Sequence, residues 1–418
     1  MTFSSRISGF HKLSQDEKLA KLKELVGLTD EDIANITVTT PPVTIENIIG
    51  VMTVPIGVAT NFTINDQDRF VTFAVEEASV VAAASNTARM TRDHGGFHTT
   101  STGPIMIGQI QLLDVTNPYF ASQVIHSHKD EILKLANDQD PILVKFGGGA
   151  QDLETRVIST AVGDMLIVHL LVNCLDAMGA NAVNTMAEAI STRLEELTGG
   201  FARLRIISNL ADRRVIRARA VFDKEMLGGD DIVEGIIEAW AFAEADPYRA
   251  ATHNKGIMNA ISAVTLATAN DWRAIEAGAH VYATRDGYYT SLTNYEITEE
   301  GHLAGTIEVP LALGIIGGAT KVHPIAQTCL KIMNVKTAQE LAEIVACAGL
   351  AQNVAALRAL SDEGIQRGHM KLHAANLAGS LEGISSEEKD LVAKQMISEG
   401  KVRADRAEEI LKEIRSKK

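Results

Sequence analysis

The stretch from Gly103 to Ser208 constrains the fold more than any other. It runs through a strand-like segment (Ile105 to Val115), a helical pattern (Asn117 to Ala136) and two β runs meeting at Gly163-Asp164, Thr155 to Thr160 and Met165 to Val172. A helix (Val183 to Leu197) and a last strand (Ala202 to Ser208) follow. Period-two strands alternating with period-3.6 helices in the order β-α-β-β-α-β specify a ferredoxin-like unit at residues 104–208. The flanking segments read as mainly helical, so the expected class is α+β: a helical large domain interrupted by the ferredoxin-like one.

The chain opens on a capping box, Ser14 with Glu17, followed by Leu19, Leu22, Leu25 and Val26 and stopped by Gly27. After Pro41-Pro42 the pattern is mixed; Glu76 to Arg89 then reads as an Ala- and Val-rich helix opened by Glu76-Glu77. Asp231 to Ala243, Asp271 to Ala279 and Ala338 to Leu360 read as further helices, whereas Gly287 to Leu311 alternates like antiparallel sheet. A second capping box, Ser385 with Glu388, and a charged amphipathic helix from Asp405 mark a small C-terminal unit. The expected division is residues 1–103 with 209–375 as the large domain, 104–208 as the inserted domain, and 376–418 as a helical tail.

Size and charge narrow the function. A chain of 418 residues exceeds what one core supports. Its net charge of −14, without a basic tract outside the mixed-charge C-terminus, argues against nucleic-acid binding. Cys174, Cys329 and Cys347 are odd in number and lack a C-x-x-C spacing, as reduced cytoplasmic thiols would. Neither a signal peptide nor a membrane span is expected, because apolar stretches such as Met165 to Leu175 fall short of about 18 residues.

No G-x-G-x-x-G or G-x-x-x-x-G-K-[ST] fingerprint is present, so a dinucleotide would need another glycine turn at a helix start. Asp176 to Asn181 (Asp-Ala-Met-Gly-Ala-Asn) supplies one, although ordinary turn chemistry explains the same residues. Thr252 to Asn259 crowds a hydroxyl, an imidazole, amides and Lys255 between helical patterns, which suggests a site or a solvated loop. Asp271 also fits the N-cap of the next helix. One of Glu76 and Glu77 would be forced inward, and burial raises a carboxyl pKa toward the range of a general acid. His369 and His373 have i, i+4 metal spacing but no companion ligand, so no metal is assigned.

Glu46-Asn47-Ile48-Ile49-Gly50, Glu76-Glu77-Ala78-Ser79, the Asp176–Asn181 turn, His253 to Asn259, Asn270 to Ala274 and Gly368-His369-Met370 occur in one order. Together they resemble the class II hydroxymethylglutaryl-CoA reductases. The resemblance implies a soluble cytoplasmic oxidoreductase of the mevalonate pathway of isoprenoid metabolism. It interconverts hydroxymethylglutaryl-CoA (HMG-CoA) with mevalonate and coenzyme A by two hydride transfers, NAD(H) being favoured and NADP(H) possible. It also implies a homodimer or higher oligomer with shared active sites, and a C-terminal flap.

By the same resemblance, Lys255 stabilises an oxyanion, His369 protonates the leaving thiolate, Glu77 supplies a proton, and Asp271 lies between Lys255 and Glu77. Arg249 pairs with the substrate carboxylate, with Ser79, Asn209, Thr252 and Asn259 binding its polar groups. Asp140, ahead of a strand-like Pro141 to Phe146, faces the adenosine ribose, and Asp176, Met178, Gly179 and Asn181 hold the cofactor. Ala78 departs from the family pattern, in which proline often adjoins the glutamate. Two rival readings are a non-enzymatic ligand sensor and a metal hydrolase built on His369 and His373.

Overall fold

The computed structural model describes residues 13–26, 29–30, 45–361, 374–375 and 377–416. Its strands form two sheets. β4 (Ile105–Leu113), β5 (Gly149–Thr160), β6 (Gly163–Asn173) and β7 (Phe201–Ile207) pair antiparallel in the order β5-β6-β4-β7. Helices precede β5, and Ala180–Thr198 joins β6 to β7, giving the β-α-β-β-α-β order read from the sequence. That last helix buries Val183, Ala187, Ile190 and Leu194, spaced three to four apart, so one apolar stripe seals one face of the sheet.

The larger sheet has the order β2-β1-β3-β8-β10-β9, from Gln67–Ala74, Ile56–Ile64, Phe97–Ser101, Val215–Phe222, Leu303–Pro310 and Thr293–Ile297 respectively. The β1–β2 hairpin lay unread in the mixed segment after Pro42. Its two-residue turn places Asn65 and Asp66 at φ 49° and 63°, values that the primed hairpin turns require and that Asn and Asp tolerate. On β8, Ala218, Ala220 and Phe222 point inward while Arg217 and Arg219 face out.

The helix Ala338–Ser361 packs against β8, β10 and the helices Val80–Arg89, Asp230–Ala245 and Pro247–Ala267. Close approach is possible because Gly349 has no side chain: a Cβ there would lie 2.9 Å from Ile261 Cγ1. This helix is long and apolar enough to cross a membrane, unlike the stretches weighed in the sequence, yet 67% of its most apolar window is buried inside the protein. A separate apolar cluster joins Ala374 and Ala378 to Val392 and Met396 of the helix Ser386–Glu399 and to Ala407 and Ile410 of Ala404–Ser416.

Several element readings change. Asn117 to Ala136 is two helices, Pro118–Ser127 and Lys129–Asn137, because His128 leaves helical geometry (φ −108°, ψ 17°). Pro141–Lys145 is a short helix rather than a strand: Asp140 caps it by accepting from the Leu143 amide, and proline suits its first position. The helix expected from Glu76 begins at Val80, since Ser79 takes φ 80°, leaving both glutamates in the connection from β2. Thr252 to Asn259 lies inside a helix, Pro247–Ala267, not in a loop between helices.

Candidate active site

Helical spacing gathers the first set of groups. Arg249, Thr252, Lys255 and Asn259 recur at three- and four-residue intervals and therefore share a face of Pro247–Ala267. Asp246 starts that helix by accepting from the Tyr248 and Arg249 amides, with Pro247 at the first position. This face lines a cavity of about 500 Å³, whose opposite wall carries Glu77 and Ser79. Ser79 sits in the left-handed region, a strained conformation for a non-glycine residue that turns the chain between Glu77 and the helix.

Lys255 Nζ donates to Glu77 Oε2 at 3.1 Å. Their side chains are 63% and 39% exposed, so Glu77 is ion-paired at a cavity mouth rather than buried, and the pairing adds little net stability. A cation and a carboxylate in contact can stabilise negative charge on a carbonyl oxygen and exchange a proton with it. Arg249 is half-buried, with no acidic partner among the described residues; burial pushes its guanidinium below its ordinary pKa.

His253 belongs to the same polar stretch as Lys255. It is buried, and desolvation, reinforced by Arg249, pushes its imidazole down to about 3, so it is neutral near pH 7. Its Nε2 meets Ser291 Oγ at 2.8 Å and Thr293 Oγ1 at 3.0 Å, and the Thr293 hydroxyl donates to Asn353 Oδ1 at 2.9 Å. His253 Nδ1 and Gln352 Oε1 are buried without partners, on residues that line the same cavity. The polar pair Gln352-Asn353 inside an apolar helix was the signal available for this wall.

A second cleft, about 840 Å³, is lined by Asp140, Met178, Gly179, Asn181, Asn270 and Asp271, among others. Gly179 (φ 105°) precedes the helix Ala180–Thr198 without a side-chain cap, which leaves first-turn amides for an anion. Its lack of a side chain is also steric, because a Cβ would lie 2.4 Å from Cys174 Sγ. Across the cleft, a Cβ on Gly314 would meet the Met178 nitrogen at 2.5 Å. Arg214, 4% exposed, joins the two loops by donating to the Ala177 carbonyl at 3.0 Å and the Leu313 carbonyl at 2.5 Å.

A model of the hydroxymethylglutaryl-coenzyme A reductases matches residues 14–374. The chain belongs to this family. It is 56% identical to the 3-hydroxy-3-methylglutaryl-coenzyme A reductase of Archaeoglobus fulgidus, across 99% of this chain and 95% of that one. A probable reductase of Borreliella burgdorferi is 35% identical, covering 89% and 86% of the two chains. Among solved structures, the Streptococcus pneumoniae reductase superposes with a TM-score of 0.76 at 39% identity over 97% and 99%. A class II structure from the same organism, bound to NADPH in open conformations, gives 0.74 at 38% over 96% and 100%.

Against the expectations for this family, Glu77, Ser79, Arg249, Thr252, Lys255 and Asn259 share one cavity, and Asp140, Met178, Gly179 and Asn181 share the other. Asp271 is not between Lys255 and Glu77 within the chain. It caps Trp272–Tyr282, accepting from the Arg273 and Ala274 amides at 3.2 and 3.1 Å, and lines the second cleft. Asp176 does not line that cleft: its carboxylate accepts from the Ala338 amide at 2.7 Å, at the start of the core helix. Asn209 is exposed and packs its carbonyl against Gly278, outside the first cavity. His369 and His373, with Gly27, lie outside the described residues.

Proposed function

We propose that the chain reduces HMG-CoA to mevalonate and coenzyme A, or runs the reverse, with Lys255 and Glu77 as the groups that manage charge and protons at the reacting carbon. The observation that carries this reading is the 3.1 Å Lys255–Glu77 pair in a cavity that also holds Arg249, which has no acidic partner among the described residues. The guanidinium suits the free carboxylate at the far end of the substrate, and Ser79, Thr252 and Asn259 offer hydrogen bonds to its hydroxyl and carbonyl oxygens. The reaction consumes two reduced nicotinamides and two protons per HMG-CoA. As hydride reaches the thioester carbonyl, Lys255 stabilises the oxyanion; His369 protonates the departing thiolate; Glu77 supplies the proton when the aldehyde is reduced.

The nicotinamide cofactor, which supplies the hydride, fits the second cleft. Residues 104–208 serve as its domain, with the free amides beyond Gly179 for the pyrophosphate, Asn181 beside them and Asp140 for the ribose. A carboxylate there accepts from a ribose 2′-OH and repels a 2′-phosphate, so NADH is the preferred reductant, with NADPH as the weaker alternative. Because Asp271 lies in that cleft rather than beside Lys255, a second copy completes the site in a homodimer or larger assembly. The assembly is placed in the cytoplasm, and residues 376–418 serve as its flap.

Lys255→Ala tests the central assignment. Turnover, followed at the nicotinamide absorbance band with HMG-CoA, falls by about 10²- to 10³-fold, the usual cost of losing an oxyanion donor, while circular dichroism is unchanged. Retention of more than roughly a tenth of the wild-type kcat overturns the role of Lys255.

A further inference from the structure

We propose that His94, Asp223 and His302 form a binding site for one divalent transition-metal ion of the zinc type, apart from the reductase site. They come from three segments: the short 3₁₀ helix Arg92–His94, the corner after β8, and the residue just before β10. Their ligand atoms all lie within 4.8 Å of one another, a convergence invisible in a sequence where they stand at 94, 223 and 302.

The chemistry of the set suits such an ion. Two imidazoles and a carboxylate are borderline donors that zinc accepts, with a fourth position left for water. Tetrahedral bonds of about 2.0–2.2 Å place ligand atoms roughly 3.3–3.6 Å apart. His94 Nε2 to Asp223 Oδ2 is 3.2 Å, and His302 Nδ1 to the same oxygen is 3.9 Å, while all three ligand atoms lie within 4.8 Å, so closure on an ion takes side-chain shifts of up to about an ångström. The rings already converge, with centroids 4.3 Å apart and planes tilted by 56°.

The carboxylate is held in place, because Asp223 Oδ1 accepts from the Met226 amide at 2.9 Å, as an outer-shell contact orients a metal ligand. The ion must displace two weaker interactions: the proton that His94 shares with Asp223, and the Lys224 amide that meets His302 Nδ1 at 3.2 Å. Lys224 Nζ is engaged by Asp230 at 3.1 Å. The three side chains are 19–23% exposed, open to entry yet mostly enclosed. None of them lines the Lys255 cavity or the cofactor cleft. The bound ion therefore ties the β8 corner to the β9–β10 hairpin and the segment after Val80–Arg89, as a structural clamp.

Zinc ion is titrated into the full-length chain, previously stripped with chelator, in competition with a chromophoric chelator near neutral pH. The expected result is one equivalent bound, a higher Tm, and unchanged HMG-CoA reduction. His302→Gln and His94→Gln should each weaken binding by at least the roughly 10- to 100-fold that loss of an outer-shell partner costs. The doubly substituted chain should show no zinc-dependent rise in Tm. Circular dichroism and reductase activity without zinc identify a folded variant, and His302→Gln alone serves if the double substitution does not fold. Absence of stoichiometric binding to the wild type overturns the site. So does binding that persists undiminished in a folded variant, which would put the ion elsewhere, such as at His369 and His373.

Discussion

Asp140 carries two duties with one side chain. Oδ1 accepts from the Leu143 amide at 2.9 Å and so starts the helix Pro141–Lys145, and the same residue lines the second cleft, proposed for the cofactor. The cap holds the carboxylate still, so that at the ribose position proposed for it a fixed charge would discriminate between a 2′-OH and a 2′-phosphate. With Asp140 in place, kcat/KM should favour NADH over NADPH, and Asp140→Asn should shrink that ratio by about tenfold or more, since one close like charge costs at least that much in affinity. Steady-state measurements with both cofactors check this, and an unchanged ratio removes Asp140 from the ribose site. Arg214 shows the reverse economy. It is a buried cation that donates to the backbone carbonyls of Ala177, Met178 and Leu313, and so it holds two loops of the cleft together.

At the scale of elements, local signals hold where local physics closes the account. Both capping boxes form: Ser14 and Glu17 exchange side-chain and amide bonds, and so do Ser385 and Glu388. Glu388 also accepts a bidentate pair of hydrogen bonds from Arg415, each at 3.1 Å, linking Ser386–Glu399 to Ala404–Ser416. Arg415 first, then the Ser385 amide, hold its carboxyl down at about 2, below the ordinary 4.5. A carboxyl depressed on folding stabilises fully above its unfolded value. That contribution is lost as pH falls from about 4.5 through about 2. Acidification across this window should loosen the two C-terminal helices before the sheets. Hydrogen exchange of the full chain, corrected for intrinsic rates, reads this order; Glu388→Gln should reduce the acid-dependent step, and the remainder belongs to Glu399, which Arg406 likewise holds at about 2 between the same two helices. Simultaneous loosening of helices and sheets would refute it.

For the whole molecule, the separation of Asp271 from Lys255 has a direct consequence in assembly. If each site takes Lys255 from one protomer and Asp271 from its partner, two inactive chains can rescue each other. Lys255→Ala and Asp271→Asn, co-refolded in equal amounts, should recover about a quarter of wild-type activity, because random pairing makes half the dimers mixed and each mixed dimer restores one of two sites. Sites complete within one chain would give no recovery. The core helix Ala338–Ser361 belongs to the same scale: its composition alone would pass for a membrane span, and its burial between the sheet and three helices assigns it to the interior.

What the chain encodes by itself is what depends on neighbours in sequence. The β-α-β-β-α-β order, the two capping boxes and the Gly179 turn all follow from periodicities of two or 3.6 and from cap chemistry. The helix after Glu76 starts later than its composition suggests because Ser79 takes a left-handed conformation that leaves no mark in the residue pattern, and Thr252 to Asn259 resembles a solvated loop because its polar side chains face a cavity. Everything that depends on convergence waited for the tertiary structure. The contact of Glu77 with Lys255 spans 178 positions, the commitment of Asp176 to the Ala338 amide spans 162, and the clamp of Arg214 on Leu313 spans 99. The meeting of His94, Asp223 and His302 belongs with these. Such pairs leave no spacing to read, because what brings them together is the packing of sheets and helices, and that packing is decided by the whole apolar pattern at once.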